Sequence, residues 1–262
     1  MIYHVTKSKD GTKRSQNYWV VKANEIARKG RYGYTLQQLQ ILDYCISKIK
    51  PNDTGDGKYT MNIADYCRAA GIHCHSGGNY ASLRKNIQAL ADKSFWLEKD
   101  GKLTLMRWLQ KIVLEPKTGT IEYTFDPDIL PYVANLQSNY TQMELPILLS
   151  FRSKYAKRLY EYLKSYYYRV GELQQPIVIQ MTVQEFRSMM FVTGYKSFKE
   201  LRRNVLEKAV NEINDYSDIM LECNIEAGGS DQSITHLIFT LKEPSSGNMI
   251  LRSQARKYAR EK

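Results

Sequence analysis

The run Leu83-Arg84-Lys85-Asn86-Ile87 returns as Leu201-Arg202-Arg203-Asn204-Val205, 118 positions later (83 to 201). Each copy falls in a helical pattern that is preceded by another helix and followed by a strand pair. Tyr80, Leu83, Arg84, Asn86 and Ile87 match Phe198, Leu201, Arg202, Asn204 and Val205 at that one offset. Met61, Ile63, Asp65 and Tyr66 match Met181, Val183, Glu185 and Phe186 at an offset of 120 (61 to 181). The slip of two falls in a loop between helices, where length changes are tolerated. Helix, strand, helix, helix, hairpin is the order of a winged helix. The sequence therefore predicts an α+β, helix-rich chain of two tandem winged-helix domains related by internal duplication.

The boundaries come from capping chemistry. Thr35 is placed to cap a helix from Leu36 to Ile49, which the Pro51-Asn52-Asp53-Thr54-Gly55 cluster ends. A strand from Lys58 to Met61 leads to Asn62, which caps a helix closed by Gly71. A third helix runs from about Asn79 to Lys93. Phe95 to Lys99, the Asp100-Gly101 turn and Leu103 to Leu114 read as the hairpin of a wing, with a further strand from Thr120 to Phe125. In the second half, Ser153 to Arg169 is helical, Ile177 to Met181 is a strand, and Thr182 and Ser197 cap the next two helices. Met220 to Ile225 and Ile234 to Leu241 form a second wing across Gly228-Gly229-Ser230. The join is expected between Pro131 and Pro146, dividing the chain into 1–135 and 136–262. Lys7 to Arg14 reads as a basic arm and Arg252 to Lys262 as a basic tail on a surface helix.

With 262 residues, the chain is long enough for two domains that each bury a core. Hydrophobic residues at 43% and charged residues at 25% exclude a mainly disordered chain. The formal charge of +11 favours a polyanionic partner, and double-stranded DNA fits the fold better than an anionic membrane does. No apolar stretch approaches the roughly 20 residues that span a bilayer, and the first residues lack a signal-peptide core. A cytoplasmic location without membrane contact is expected. The four cysteines have no clustered spacing, so reduced thiols are expected.

The third helix of a winged helix enters the major groove and presents its first residues to base edges. In the second copy Phe198, Leu201, Val205, Ala209 and Ile213 take the core stripe, leaving Lys196, Lys199, Arg202 and Arg203 near the helix start. Arginine there suits guanine, lysine suits phosphate, and Ser197 with the free helix amides can hold a phosphate. The first copy offers Asn79, Ser82, Arg84, Lys85 and Asn86, a less basic set that positions more than it specifies. Lys99 and Lys102 flank the expected wing turn as phosphate or minor-groove contacts. Adjacent basic residues on one helix usually mark only a solvated face, and it is the matched duplication that favours the DNA reading.

Rival constellations are weaker. His73-Cys74-His75 resembles the metal pair of a rolling-circle nickase, but that chemistry needs both imidazoles on a central strand, and this run lies in a loop between helices. Cys67 with the same loop lacks the second cluster of a zinc finger. Tyr166-Tyr167-Tyr168 points in three directions on a helix and suits packing at the core edge. No phosphate-binding G-x-x-x-x-G-K-[ST] loop is present. No catalytic residue, metal or cofactor is expected.

Three stretches carry a family resemblance: Val20-Val21-Lys22-Ala23-Asn24 leading into Leu36 to Ile49; Leu145-Pro146-Ile147-Leu148-Leu149 followed by Ser153-Lys154-Tyr155-Ala156-Lys157-Arg158-Leu159-Tyr160-Glu161; and Tyr195-Lys196-Ser197-Phe198 through Asn211-Glu212-Ile213-Asn214. In that order the chain resembles the theta-type plasmid replication initiators, which bind iterons, the direct repeats of a plasmid origin. The resemblance implies two winged-helix domains, the second making the main base contacts through its third helix. It also implies a homodimer that represses its own gene, dimer contacts in the first domain, and host replication initiator or helicase-loading proteins as partners. A two-domain winged-helix transcription repressor is the alternative of the same class.

Overall fold

The computed structural model describes residues 19–50, 53, 57–73, 77–228 and 233–261. The basic arm at 7–14 lies outside them. The described chain opens with β1 (Trp19–Ala23), α1 (Asn24–Lys29), β2 (Gly30–Arg31), α2 (Leu36–Ile46) and β3 (Lys58–Asn62). They are followed by α3 (Ile63–Ala70), α4 (Gly77–Asp92), β4 (Ser94–Lys99), β5 (Lys102–Arg107), β6 (Leu109–Glu115) and β7 (Thr120–Phe125). Next come β8 (Tyr140–Glu144), α5 (Leu145–Ser150), the 20-residue α6 (Lys154–Leu173), β9 (Ile177–Thr182) and α7 (Val183–Met189). The chain closes with α8 (Phe198–Leu201), a π turn (Arg202–Leu206), α9 (Glu207–Tyr216), β10 (Met220–Gly228), β11 (Ser233–Lys242) and α10 (Ser246–Glu261).

The caps predicted from single residues form. Thr35 accepts from the Gln38 amide and Gln38 answers in a capping box. Asn62 accepts from the Ala64 and Asp65 amides, and Thr182 and Ser197 each form a box with Glu185 and Glu200. Each such cap satisfies helix amides that have no partner within the helix and is worth about 1 kcal/mol.

The two winged helices share one topology. The sheets run β3-β7-β6 and β9-β11-β10, so in each the strand before the helix-turn-helix pairs with the last strand of the wing. The expected single strand from Leu103 to Leu114 is corrected: it breaks at Trp108 into β5 and β6, which belong to different sheets. Trp108 and Leu109 are adjacent and both buried, which one face of a period-two strand does not allow. The Trp108 ring stacks on Phe95 at 5.3 Å and meets Tyr32 edge-on, anchoring the corner. The wing is therefore β6-β7, and β4-β5 is an added hairpin that extends β2. Lys99 and Lys102, expected on the wing, sit on that hairpin instead, with Lys99 paired to Glu25 at 3.4 Å.

Between the two domains runs α6. The expected division at 135/136 lies ahead of β8, which pairs with β1 from Trp19↔Glu144 to Ala23↔Tyr140. At its start α6 is capped by Ser153, whose amide donates to Glu212 of α9 at 3.1 Å. One side of α6 binds α1 and β8 of the first domain, the other binds α9, β9 and β11 of the second. Its buried polar residues join it to the first domain. Lys22 lies 2.7 Å from Asp43 and 3.2 Å from Glu161, Lys157 meets Asp43 and lies 3.3 Å from Glu161, and all four are 0–1% exposed. Lys22 and Glu161 meet as ion pairs without well-aligned hydrogen bonds. Arg158 adds a third cation, donating to the Gly30 carbonyl at 2.7 Å and to the Tyr32 hydroxyl at 3.1 Å. Burial pushes Lys157 down to about 7, while Glu161, pushed up by burial, is drawn by its three cations to about 2.

The basic tail is α10. Arg252 donates to the Ser217 and Ile219 carbonyls at 3.0 and 2.8 Å, and Arg256 to the Tyr216 carbonyl at 2.8 Å, so these two cations cap the end of α9. Cys45 and Cys223 are free, but Cys67 is disulfide-bonded, which corrects the expectation of four reduced thiols. Among the described residues, no helix is long and apolar enough to cross a membrane.

Candidate nucleic-acid interface

In each domain the last two helices before the wing form a helix-turn-helix, α3 with α4 and α7 with α8–α9. Leu83, Ile87 and Leu90 bury one face of α4, which leaves Ser82, Arg84, Lys85 and Gln88 exposed. Leu201, Val205, Leu206, Ala209 and Ile213 bury the second recognition helix, leaving Lys196, Ser197, Lys199, Arg202 and Arg203 exposed. The two cationic sets thus lie on equivalent outward faces. The helix expected to start at about Asn79 begins at Gly77, which places Asn79 within its first turn.

Several side chains have work within the fold. Asn86 is half-buried and donates to Gln37 Oε1 at 2.8 Å and to the Ser82 carbonyl at 2.9 Å, tying α4 to the start of α2. Ser197 Oγ accepts from the Glu200 amide at 3.2 Å and donates to the Glu200 carboxylate at 3.0 Å. Hydrogen bonds from the Ser197 backbone and hydroxyl lower the Glu200 pKa, so a negative charge stands at the helix start beside Lys199 and Arg203. Arg202 pairs with Glu207 at 2.7 Å. Lys199 and Arg203 point outward from the helix start with no such ion pair in the described set. Arg84 borders a groove of about 310 Å³ between α4 and the wing, floored by Ile63, Ile87, Ile112, Leu114 and Ile121.

Two features escaped the sequence reading. Cations also gather beside the first wing: Lys48 and Lys50 after α2, Lys58 of β3 and Lys111 of β6 surround a depression of about 510 Å³ on the outer face of β3-β7-β6. The strand alternation that exposes Lys58, Lys111 and Val113 was the available signal, hidden by the misplaced wing. The second is Arg187 of α7, whose guanidinium donates to the carbonyls of Tyr195 at 2.7 Å, Lys196 at 3.3 Å and Gly194 at 3.4 Å. It holds the turn that delivers the recognition helix. Of His73-Cys74-His75, Cys74 and His75 lie outside the described residues, and His73 follows the α3 cap in a loop. Among the described residues no group of His, Cys, Asp and Glu has the arrangement of a metal site.

Residues 19–164 match the family described as initiator replication protein, WH1, and residues 182–241 match initiator Rep protein, WH2. A replication initiation protein of Escherichia coli is 24% identical over 213 residues, covering 77% of this chain and 64% of that protein's length. The chain thus spans less than two thirds of this relative. The crystal structure of Pi initiator protein in complex with iteron DNA superposes with a TM-score of 0.68 at 19% identity, over 89% of this chain and 100% of that one. At that identity the likeness speaks for the fold, and it covers both winged helices and the helix between them. With more than half of the sequence matched by the first family model alone, the chain belongs to the initiator replication proteins built from a WH1 and a WH2 domain.

Proposed function

We propose that the chain is a plasmid replication initiator that binds directly repeated origin DNA through both winged helices, bends it, and biases a neighbouring A·T-rich segment toward opening. The observation that carries this reading is the pairing of two outward cationic recognition helices on one chain, joined through α6. Two such helices suit two successive grooves of a single duplex. Lys199 and Arg203, with Lys196 and Arg202 beside them, read the principal half of the site. Ser82, Arg84 and Lys85 with the first wing support the other half, chiefly through phosphate. The Pi initiator protein was crystallised with iteron DNA, which supports the same ligand class here.

The chain acts in this reading by binding and deformation rather than by bond chemistry. A homodimer that represses its own gene and recruitment of host replication proteins complete it. Footprinting on DNA flanking its own gene tests the proposal: evenly spaced protected direct repeats are expected. A single protected palindrome would assign the chain to transcriptional repression, and cleavage of supercoiled origin DNA with magnesium or manganese would assign it to nicking.

A further inference from the structure

Gly71 and Phe191 occupy the same place in the duplicated fold, 120 positions apart, as Met61 and Met181 are. Both close the first helix of a helix-turn-helix in a left-handed conformation, with φ of 66° and 51°. The hydrogen bonds match as well. Ile72 and Val192 donate to the Cys67 and Arg187 carbonyls at 2.8 and 2.9 Å, and Gly71 and Phe191 donate to the Arg68 and Ser188 carbonyls at 3.4 and 3.1 Å. This cap favours glycine, because a Cβ crowds the backbone at positive φ. The first copy has glycine; the second holds an aromatic residue against that preference. Such a violation points to a use for the side chain.

The use lies in the other domain. A Cβ placed on Gly33 would stand 2.5 Å from Phe191 Cε1 and 2.8 Å from Cδ1, so the ring rests on the Gly33 backbone. The φ of Gly33 is not in the left-handed region, so glycine is required there for space. The neighbouring segment is fixed from behind by Arg158, through the Gly30 carbonyl, the Tyr32 hydroxyl and a guanidinium 4.7 Å above the Tyr32 ring. On the Phe191 side, Arg187 gathers the carbonyls of Tyr195 and Lys196, the last residues before the recognition helix. A rigid path therefore runs from the first domain through Gly33 and Phe191 to the start of the second DNA-reading helix.

We infer that Phe191 docked on Gly33 fixes the phase between the two helix-turn-helix units, and so measures the spacing between the two halves of one DNA site. This rests on the DNA-binding reading above. One base pair added between the halves rotates one against the other by roughly 35° and moves it by ~3.4 Å. A rigid joint rejects that change, and a loosened one tolerates it.

The probe is a duplex selected from a random-sequence pool by the full chain, together with derivatives that gain or lose one base pair between its two protected segments, and each segment alone. The unaltered chain should bind the derivatives about tenfold more weakly than the parent duplex. Phe191→Gly restores the residue of the first copy, and because the ring is 45% exposed it leaves no core cavity. In that variant the penalty should fall to about twofold, with binding to each segment alone unchanged. Gly33→Ala, which displaces the ring, should do the same, with melting curves confirming that both variants fold. A Phe191→Gly chain that keeps the full penalty overturns the inference, as does one that binds each single segment more weakly. A chain that selects no duplex, or protects only one segment, fails the DNA-binding reading itself, a result distinct from a retained penalty.

Discussion

The two recognition helices share a motif and differ in winding. In α4 the buried residues Leu83, Ile87 and Leu90 follow steps of four and three, which suits 3.6 residues per turn. In the second copy Leu201, Val205, Ala209 and Ile213 follow steps of four throughout. Over three turns that spacing outruns a regular helix by about one residue. The excess is absorbed at Arg202–Leu206 as a π turn. The offset between the copies records it: 118 as far as Ile87 and Val205, then 119 for Leu90 and Ala209 (90 to 209). A consequence is visible at the surface, where Arg202 reaches Glu207, five positions on, the neighbour that a π turn creates. The copies also differ in attachment. α6 is held to the first domain by fully buried charges and to the second by its packing on α9 together with polar contacts nearer the surface, Tyr160 and Lys164 donating to Asp218 at 2.9 and 2.6 Å. The two copies thus share one scaffold, and in the proposed function the first serves more for anchoring and the second for reading DNA.

The largest expected effect breaks the difference in attachment. Glu161→Gln leaves Lys22, Lys157 and Arg158 with Asp43 as the only carboxylate of the cluster, and removing one partner of a buried pair costs about 3–5 kcal/mol. Chemical denaturation should report this loss at neutral pH. Acid should imitate it. The folded-state pKa of Glu161 lies below its ordinary value of 4.5, so its contribution is present above that pH and lost as pH falls toward about 2. Lys157 slopes the same way, since its folded-state value lies below its ordinary 10.5 and the cost of burying its charge fades as pH rises above about 7. Melting temperature should therefore fall on acidification from pH 5 to 3, and fall less steeply in Glu161→Gln. An unchanged acid slope in the variant would remove Glu161 from the anchor.

What could be read beforehand follows from the range of the interactions. Thr35, Asn62, Gly71, Thr182 and Ser197 were legible because a cap is decided within four residues. The apolar stripes of both recognition helices were legible for the same reason. Ser153 to Glu161 stood out as a family pattern, but its chemistry did not, because Lys157 meets Asp43 across 114 positions. Asn86 stands on the expected DNA face by local pattern, while its bond to Gln37, 49 positions away, is invisible to any local pattern. The corner at Trp108 was missed because Leu103 to Leu114 has the composition of one strand, and only the burial of two adjacent residues reveals two. The steps of four in the second helix were already in the sequence. Their excess over 3.6 was the available signal for the π turn.

The next effect tests that winding. Deleting Leu206 removes the additional residue and asks the second helix to behave like α4. Because Ala209 and Ile213 are held in the core, the front of the helix should turn by about 100° relative to the remainder. Lys199 and Arg203 would leave the outer face, and specific DNA binding should weaken by about a hundredfold, roughly 2.7 kcal/mol, in titrations against the selected duplex. Deleting Gln88 from α4 should cost less binding if, as proposed, the first copy reads less. Equal losses would mean that the π turn has no part in recognition.

The smallest effect separates the two helices residue by residue. Arg203 is exposed near the helix start, whereas Arg84 borders the groove between α4 and the wing. Arg203→Ala should cost about 1–3 kcal/mol on the selected duplex and relax one base position, as expected when a bidentate contact to a base edge is lost. Arg84→Ala should cost less than about 1 kcal/mol, spread evenly over specific and random DNA, and reduce the salt dependence of binding by about one phosphate contact. The salt slope carries the argument, since a base contact and a phosphate contact can weaken binding equally but only the phosphate contact releases a counterion. If Arg203→Ala changed the slope and left base preference intact, the second helix would be a positioning element like the first, and specificity would have to come from the shape of the DNA held between them.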